Sequence, residues 1–229
     1  IPMFPMPGVF LLPRQILPLH VFEPRYRQMV DDVLDGQGRL AMGTILEGQN
    51  VSSLPPHEPV QPGPDGNPTE DSGEDSEGEP EEGPGGPSLA MPPRVLHVAG
   101  VGEIARHEKT ADGRYFIWLF GIGRYDVEEA PSDRLYRQVK IRPFQETEIA
   151  SDQADPITNS LRAALDSRSE SPLELPDDVP PELLTDALVQ KLHLPQKAME
   201  PIFTEPDVAQ RARMVLRAHK AFPKPDLDA

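Results

Sequence analysis

The 229 residues carry a formal charge of −16, a 37% hydrophobic share, 29 prolines and no cysteine. Without cysteine there are no disulfides, no thiol catalysis and no Cys-ligated zinc, which fits a cytoplasmic protein. The negative charge argues against nucleic acid, whose affinity comes largely from neutralised phosphates, and no run approaches the ~20 apolar residues of a membrane span or the pattern of a signal peptide.

The charge is unevenly distributed. Residues 55–87 hold ten acids and no Lys or Arg, so this tract carries −10 of the −16 and leaves an ordinary −6 for the rest.

Residues 1–46 read as strand, strand, strand, helix, strand. Pro7-Gly8 is a turn signal and residues 9–13 an expected second strand. Leu17, Leu19 and Val21 then alternate with Pro18, His20 and Phe22, the pattern of a mostly buried strand. Pro24 suits a first helical position. From there Tyr26, Met29, Val30, Val33 and Leu34 fall on one helical stripe, with Gly36 as the expected stop. Residues 39–46 are apolar on both faces, as expected near the middle of a sheet or barrel.

Residues 47–93 are expected to be a disordered acidic insertion, because Pro, Gly, Ser, Asp and Glu without aromatics bury too little area to offset ordering entropy. Strand patterning returns at residues 95–108, with Gly100 and Gly102 as expected bulges. The turn Thr110-Ala111-Asp112-Gly113 leads into residues 114–120, and Gly121-Ile122-Gly123 is expected to bend the chain into residues 124–129. A last strand over residues 135–144 places Leu135, Val139 and Ile141 on one face.

The period becomes helical from about residue 154. Ile157, Leu161, Ala164 and Leu165 form one stripe, residues 172–181 a linker, and Leu184, Ala187, Leu188 and Leu192 a second stripe. A short helical segment follows near residues 198–202. Thr204-Glu205-Pro206-Asp207 predicts a helix capped by Thr204 and carrying Val208, Ala212, Val215, Leu216 and His219.

Met3-Phe4-Pro5-Met6-Pro7 and Val9 to Pro13, then Leu17-Pro18-Leu19, Val21, Phe22-Glu23 and Arg25-Tyr26-Arg27, resemble the N-terminal substrate-binding domain of Lon proteases. The later residues Gly113-Arg114-Tyr115 and Gly121 with Arg124-Tyr125 resemble the second half of that domain, and residues 192–216 its helical part. The resemblance implies an α+β fold: a PUA-like β pseudo-barrel with one early helix over residues 1–150, then a small helical bundle over residues 151–229.

Lon proteases also carry an ATPase and a Ser–Lys peptidase module. The sequence holds no G-x-x-x-x-G-K-[ST] phosphate loop, and most serines lie in the tract, in caps or in linkers, so no peptidase is expected. His20, His57, His97, His107, His193 and His219 show no ligand spacing, so neither a metal nor another cofactor is expected. No second carboxylate or base accompanies Glu23 in sequence. A structural ion pair of Glu23, Arg25 and Arg124, joining the helix to the later hairpin, is expected in preference to catalysis.

What the resemblance implies is therefore a stand-alone, non-catalytic relative that binds unfolded or partly unfolded polypeptides in a groove between barrel and bundle, with strand addition at a barrel edge as a further mode. The candidate contacts are Phe4, Leu12, Leu19, Phe22, Tyr26 and Trp118. Phe116, Trp118 and Phe120 share a strand face opposite Tyr115, Ile117 and Leu119. That face is expected to pack internally, with a ligand groove as the alternative. The rivals are an acidic adaptor for a separate protease or ATPase, a hydrolase with an unrecognised site, and an RNA binder, which the charge disfavours.

Overall fold

The computed structural model describes residues 1–46, 93–169 and 175–222. The insertion expected over residues 47–93 lies outside them except for Pro93, as does part of the expected linker at 172–181.

The described residues form β1 (Pro2–Pro7), β2 (Ile16–Val21), α1 (Pro24–Leu34), β3 (Arg39–Ile45), β4 (Val98–Lys109), β5 (Tyr115–Ala130), β6 (Arg137–Pro143), α2 (Ser151–Ser167), α3 (Pro181–Leu192), α4 (Gln196–Phe203) and α5 (Val208–Ala221).

Strand β5 organises the sheet. Its first half pairs antiparallel with β2, from Val21 opposite Tyr115 to Ile16 opposite Phe120. Its second half pairs with β6, while β4 runs along its other edge. Because β6 also pairs with β1, and β1 with β3, the hydrogen-bonded order β5–β4–β3–β1–β6 returns to β5 as a closed ring. β2 lies outside this ring as an edge strand.

Met3, Ala41, Ala99, Val101 and Val139 form a cluster of mostly small buried side chains, against which Tyr125 and Val127 pack. All five ring strands contribute to it, which identifies it as the ring interior. The alternate residues Phe4, Leu40 and Met42 meet Tyr26, Met29, Val30 and Val33 of α1 on the other side. β3 is thus apolar on both faces because both are covered.

Three expectations about the strands need correction. Residues 9–13 form no strand. Their backbone crosses β4 and β5 at Gly100 and Gly121, where a Cβ atom would fall inside the Leu11 and Leu12 carbonyl oxygens, so the segment is held by close approach. The Gly121–Gly123 bend is a bulge within one continuous strand: Val101 faces Gly123 and Gly102 faces Gly121, leaving Ile122 extra. Leu135 precedes β6 and is 71% exposed, and Tyr136 takes the inward place, donating to Asp32 at 2.7 Å.

Among the helices, α2 buries the four residues expected of it, and α2, α3 and α5 pack on one another. Thr204 closes α4 and donates to the Glu200 carbonyl at 2.9 Å. The cap of α5 is Asp207, whose carboxylate accepts from the Gln210 N–H. The Asp207 side chain meets the N3 amide that a cap must satisfy, which places the helix start three residues later than expected.

Candidate functional site

Most of the six candidate contact residues are core. Phe4 and Tyr26 are buried with ring centroids 4.3 Å apart. Leu19 lies on the inward face of β2, and Leu12 belongs to a buried cluster with α2, α3, α4 and α5. Leu12 and Val98 pack with the helices in that cluster, and Phe10 meets Phe203 edge-on at 5.3 Å. Phe22 and Trp118 differ: Phe22 is 58% exposed and Trp118 is half-buried.

These two mark an open sheet face. The Gly121 N–H donates to the Gln15 carbonyl at 2.8 Å. Carried along the register, that bond makes Leu17–Leu119, Leu19–Ile117 and Val21–Tyr115 the hydrogen-bonded pairs. Ile16–Phe120, Pro18–Trp118 and His20–Phe116 are the alternate pairs, whose side chains stand closer together. The His20 ring accordingly stacks on Phe116 at 4.5 Å and 10°, with Phe22 at 5.8 Å from His20.

Leu17, Leu19, Val21, Tyr115, Ile117 and Leu119 point to the core side. Ile16, Phe116 and Phe120 on the other side are 59%, 41% and 38% exposed. The expectation of internal packing for the Phe116–Trp118–Phe120 face is therefore wrong. Both faces of β5 are apolar, so alternation separates them but does not say which one is covered.

Along the β4 margin, Glu103, Arg106 and Glu108 lie opposite Phe120, Trp118 and Phe116. The Arg106 guanidinium lies over the Trp118 ring at 4.8 Å and is paired with Glu108. Glu103 is paired with Arg39 at 3.1 Å. The face thus presents apolar and aromatic contact area bordered by ions that neutralise one another.

The expected ion pair is divided. Glu23 and Arg25 meet at 2.8 Å, at the start of α1. Arg124 points elsewhere, to Glu146 at 2.6 Å and Asp186 at 3.7 Å. Glu146 also receives Arg211, at 3.0 and 3.3 Å, and Arg211 is fully buried. Burial pushes the Asp186 carboxyl up and the Arg124 guanidinium down, in each case against the charged form.

This quartet joins β5, the segment after β6, α3 and α5. Arg211 was legible in principle, since it falls three residues after Val208 and four before Val215, on the apolar stripe of α5. Asp186 carries no comparable mark.

Elsewhere, hydrogen bonds from the Tyr115 hydroxyl and then Lys109 hold the Asp31 carboxyl below its usual range. Burial and the Asp32 carboxylate push the Tyr136 hydroxyl up to about 12. Both contacts pin α1 to the strands. Among the described residues no group of acids and histidines is arranged to hold a metal ion, and no helix is long and apolar enough to cross a membrane.

Comparison with known proteins gives the following. The model of the ATP-dependent protease La (LON) substrate-binding domain matches residues 1–219. The N-terminal domain of the Mycobacterium avium complex Lon protease is similar in structure, with a TM-score of 0.63 at 15% identity, covering 96% of this chain and 97% of that one. The Lon N-terminal domain protein of Xanthomonas campestris gives 0.55 at 16% identity, covering 95% and 96%. A comparison with curated protein sequences gives no match.

Proposed function

The chain belongs to the Lon substrate-binding domain family, and from that premise we propose that it is a non-enzymatic module that grips exposed apolar segments of unfolded or partly unfolded polypeptides. The observation that carries this reading is the exposed set Ile16, Phe22, Phe116 and Phe120 with half-buried Trp118 among them. A contiguous exposed apolar face is uncommon on a soluble protein and marks interaction when it occurs.

In this reading the closed ring is a PUA-like pseudo-barrel over residues 1–150. The helices from α2 onward form a small subdomain over residues 151–229, riveted to the ring by Arg124, Glu146, Asp186 and Arg211. The module works in the cytoplasm, without cofactor, nucleic acid or membrane, and a separate protease or ATPase acts on what it holds.

The test is fluorescence anisotropy of a labelled, permanently unfolded protein titrated with the purified chain. Saturable binding is expected, weakened at least ~10-fold by Trp118→Ala combined with Phe22→Ser, as for the loss of two aromatic anchors. No change up to several hundred micromolar (a roughly −5 kcal/mol interaction) would sink the reading.

A second reading is an acidic adaptor, favoured by the ten acids of residues 55–87. Binding that collapses with salt and with deletion of those residues would select it.

A further inference from the structure

We infer that the β2–β5 face recognises its polypeptide through side chains alone: its occupant is a short uncharged apolar segment, laid across the face without adding a strand to β2. The inference rests on the binding role proposed above and names which segments that site accepts.

The first argument is main-chain geometry. The hydrogen-bonded pairs Leu17–Leu119, Leu19–Ile117 and Val21–Tyr115 turn their own N–H and C=O groups toward β5. Ile16, Pro18 and His20 turn theirs to the outer edge of β2. Proline has no N–H, so the middle one of the three outward donors is missing, and Ile16 and His20 are left on either side of the gap. A docking strand would face a carbonyl row with its central donor removed, the device by which edge strands resist pairing. The side chains of the same three residues meet Phe120, Trp118 and Phe116 and stay open.

The second argument is charge. Every β4 side chain bordering the face is already matched: Arg106 by Glu108 and Glu103 by Arg39. Beside Phe22, Glu23 is matched by Arg25. A guest with a charged side chain would give up water over Phe116 and Trp118 and meet, along the β4 margin, only ions that are already paired. The same acids, Glu103 and Glu108, stand where a nucleic-acid backbone would run past the stacked rings.

The third argument is size. Phe116 to Phe120 spans about 14 Å at ~3.4 Å per residue, and two strands are about 10 Å wide. Two copies pressed face to face would each bury a few hundred Å² at most, against the ~800 Å² per partner of a stable interface. The same dimensions suit about four to six residues of extended chain.

The readout is built in. Trp118 is the only tryptophan of the chain and lies at the centre of the face, so its emission reports docking there and nowhere else. Four tryptophan-free peptides of eight residues are titrated into the full chain: an alternating Leu/Phe parent in a Gly/Ser frame, the same peptide N-methylated at alternate residues, and two with the central Leu→Lys or Leu→Glu.

The parent and the methylated peptide are expected to shift Trp118 emission to the blue with Kd values within ~3-fold of each other. Both charged peptides are expected to bind at least ~10-fold more weakly, the usual consequence of an unpaired charge against an apolar surface. Raising NaCl to 0.5 M is expected to leave the parent Kd within ~2-fold.

Loss of the methylated peptide alone overturns the inference in favour of strand addition. Equal binding of a charged peptide, or displacement of the parent by oligouridylate, overturns it as well. Failure of all four peptides would instead sink the binding role on which it rests.

Discussion

Glu146 holds two buried arginines. Arg124 and Arg211 have side chains 3% and 0% exposed, and both reach the same carboxylate. Glu146→Ala leaves Arg124 with Asp186 at 3.7 Å and Arg211 with the Glu205 carbonyl at 3.0 Å, and removal of one member of a buried ionic group destabilises by ~3–5 kcal/mol. Because Glu146 is 29% exposed, water relieves part of this, and urea denaturation is expected to give ~3 kcal/mol. A loss under ~1 kcal/mol would mean that solvent already serves both arginines.

Asp186 behaves in the opposite sense. Burial raises its carboxyl above the usual range, opposed by Arg124 and Arg211 and reinforced by Glu146 and Glu182. The folded state therefore keeps this proton to a higher pH than the unfolded chain does. The resulting stabilisation is complete below the unfolded value of ~3.9 and is lost as the pH rises through the folded value. Asp186→Asn stays neutral throughout, so its stability relative to the parent is expected to rise from pH 4.5 to pH 7.5 in matched urea titrations. A difference independent of pH would show that Arg124 holds the carboxylate ionised. Asp186 escaped sequence reading because one acid between Thr185 and Ala187 is also what a solvated helix face contains.

At the scale of elements, the sequence separates faces well and assigns them poorly. The stripes of α1 and α2 emerge with the residues their spacing predicts, because each has a polar side that can only face water. On β5 both alternate sets are apolar. The outcome depends on α1 and residues 9–13 covering one side, a tertiary fact that no local period contains. Residues 9–13 illustrate the same limit: an apolar run of strand length is held as a crossing by Gly100 and Gly121, more than 80 residues away in sequence.

The edge strand β2 carries a prediction at this scale. Pro18 removes the central outward donor, and a β-branched residue there would restore it while keeping strand preference. Pro18→Thr is expected to leave the thermal midpoint within ~2 °C, a difference of under ~1 kcal/mol for a chain of this size. It is expected to increase concentration-dependent self-association in sedimentation velocity. A variant as monodisperse as the parent would mean that something other than the missing N–H protects the edge.

For the whole molecule, the resemblance in residues 3–27 and 113–125 anticipated a closed β unit and that in residues 192–216 the helices after it, and ring closure through β5–β6 agrees with the former. It did not anticipate how the ring tolerates its long interruption. β3 and β4 pair as a hairpin would, and the pairing extends past their ends: Ile45 bridges Val95, the Leu46 N–H donates to the Arg94 carbonyl at 3.0 Å, and the Leu96 N–H donates to Thr44 at 2.9 Å. The two ends of the interruption are therefore already side by side. With its ends held by this pairing, the segment between them sets a loop-closure cost that depends on its length. Deleting residues 55–87 shortens that loop from about 47 residues to about 14. Loop-closure entropy scales as (3/2)RT ln n, so the deletion is expected to stabilise the fold by ~1 kcal/mol. For a chain of this size that is a rise of roughly 2–4 °C in the thermal midpoint, readable by calorimetry. A fall of several degrees would mean instead that the acidic tract contributes packing of its own, and the ring would no longer account for the stability alone.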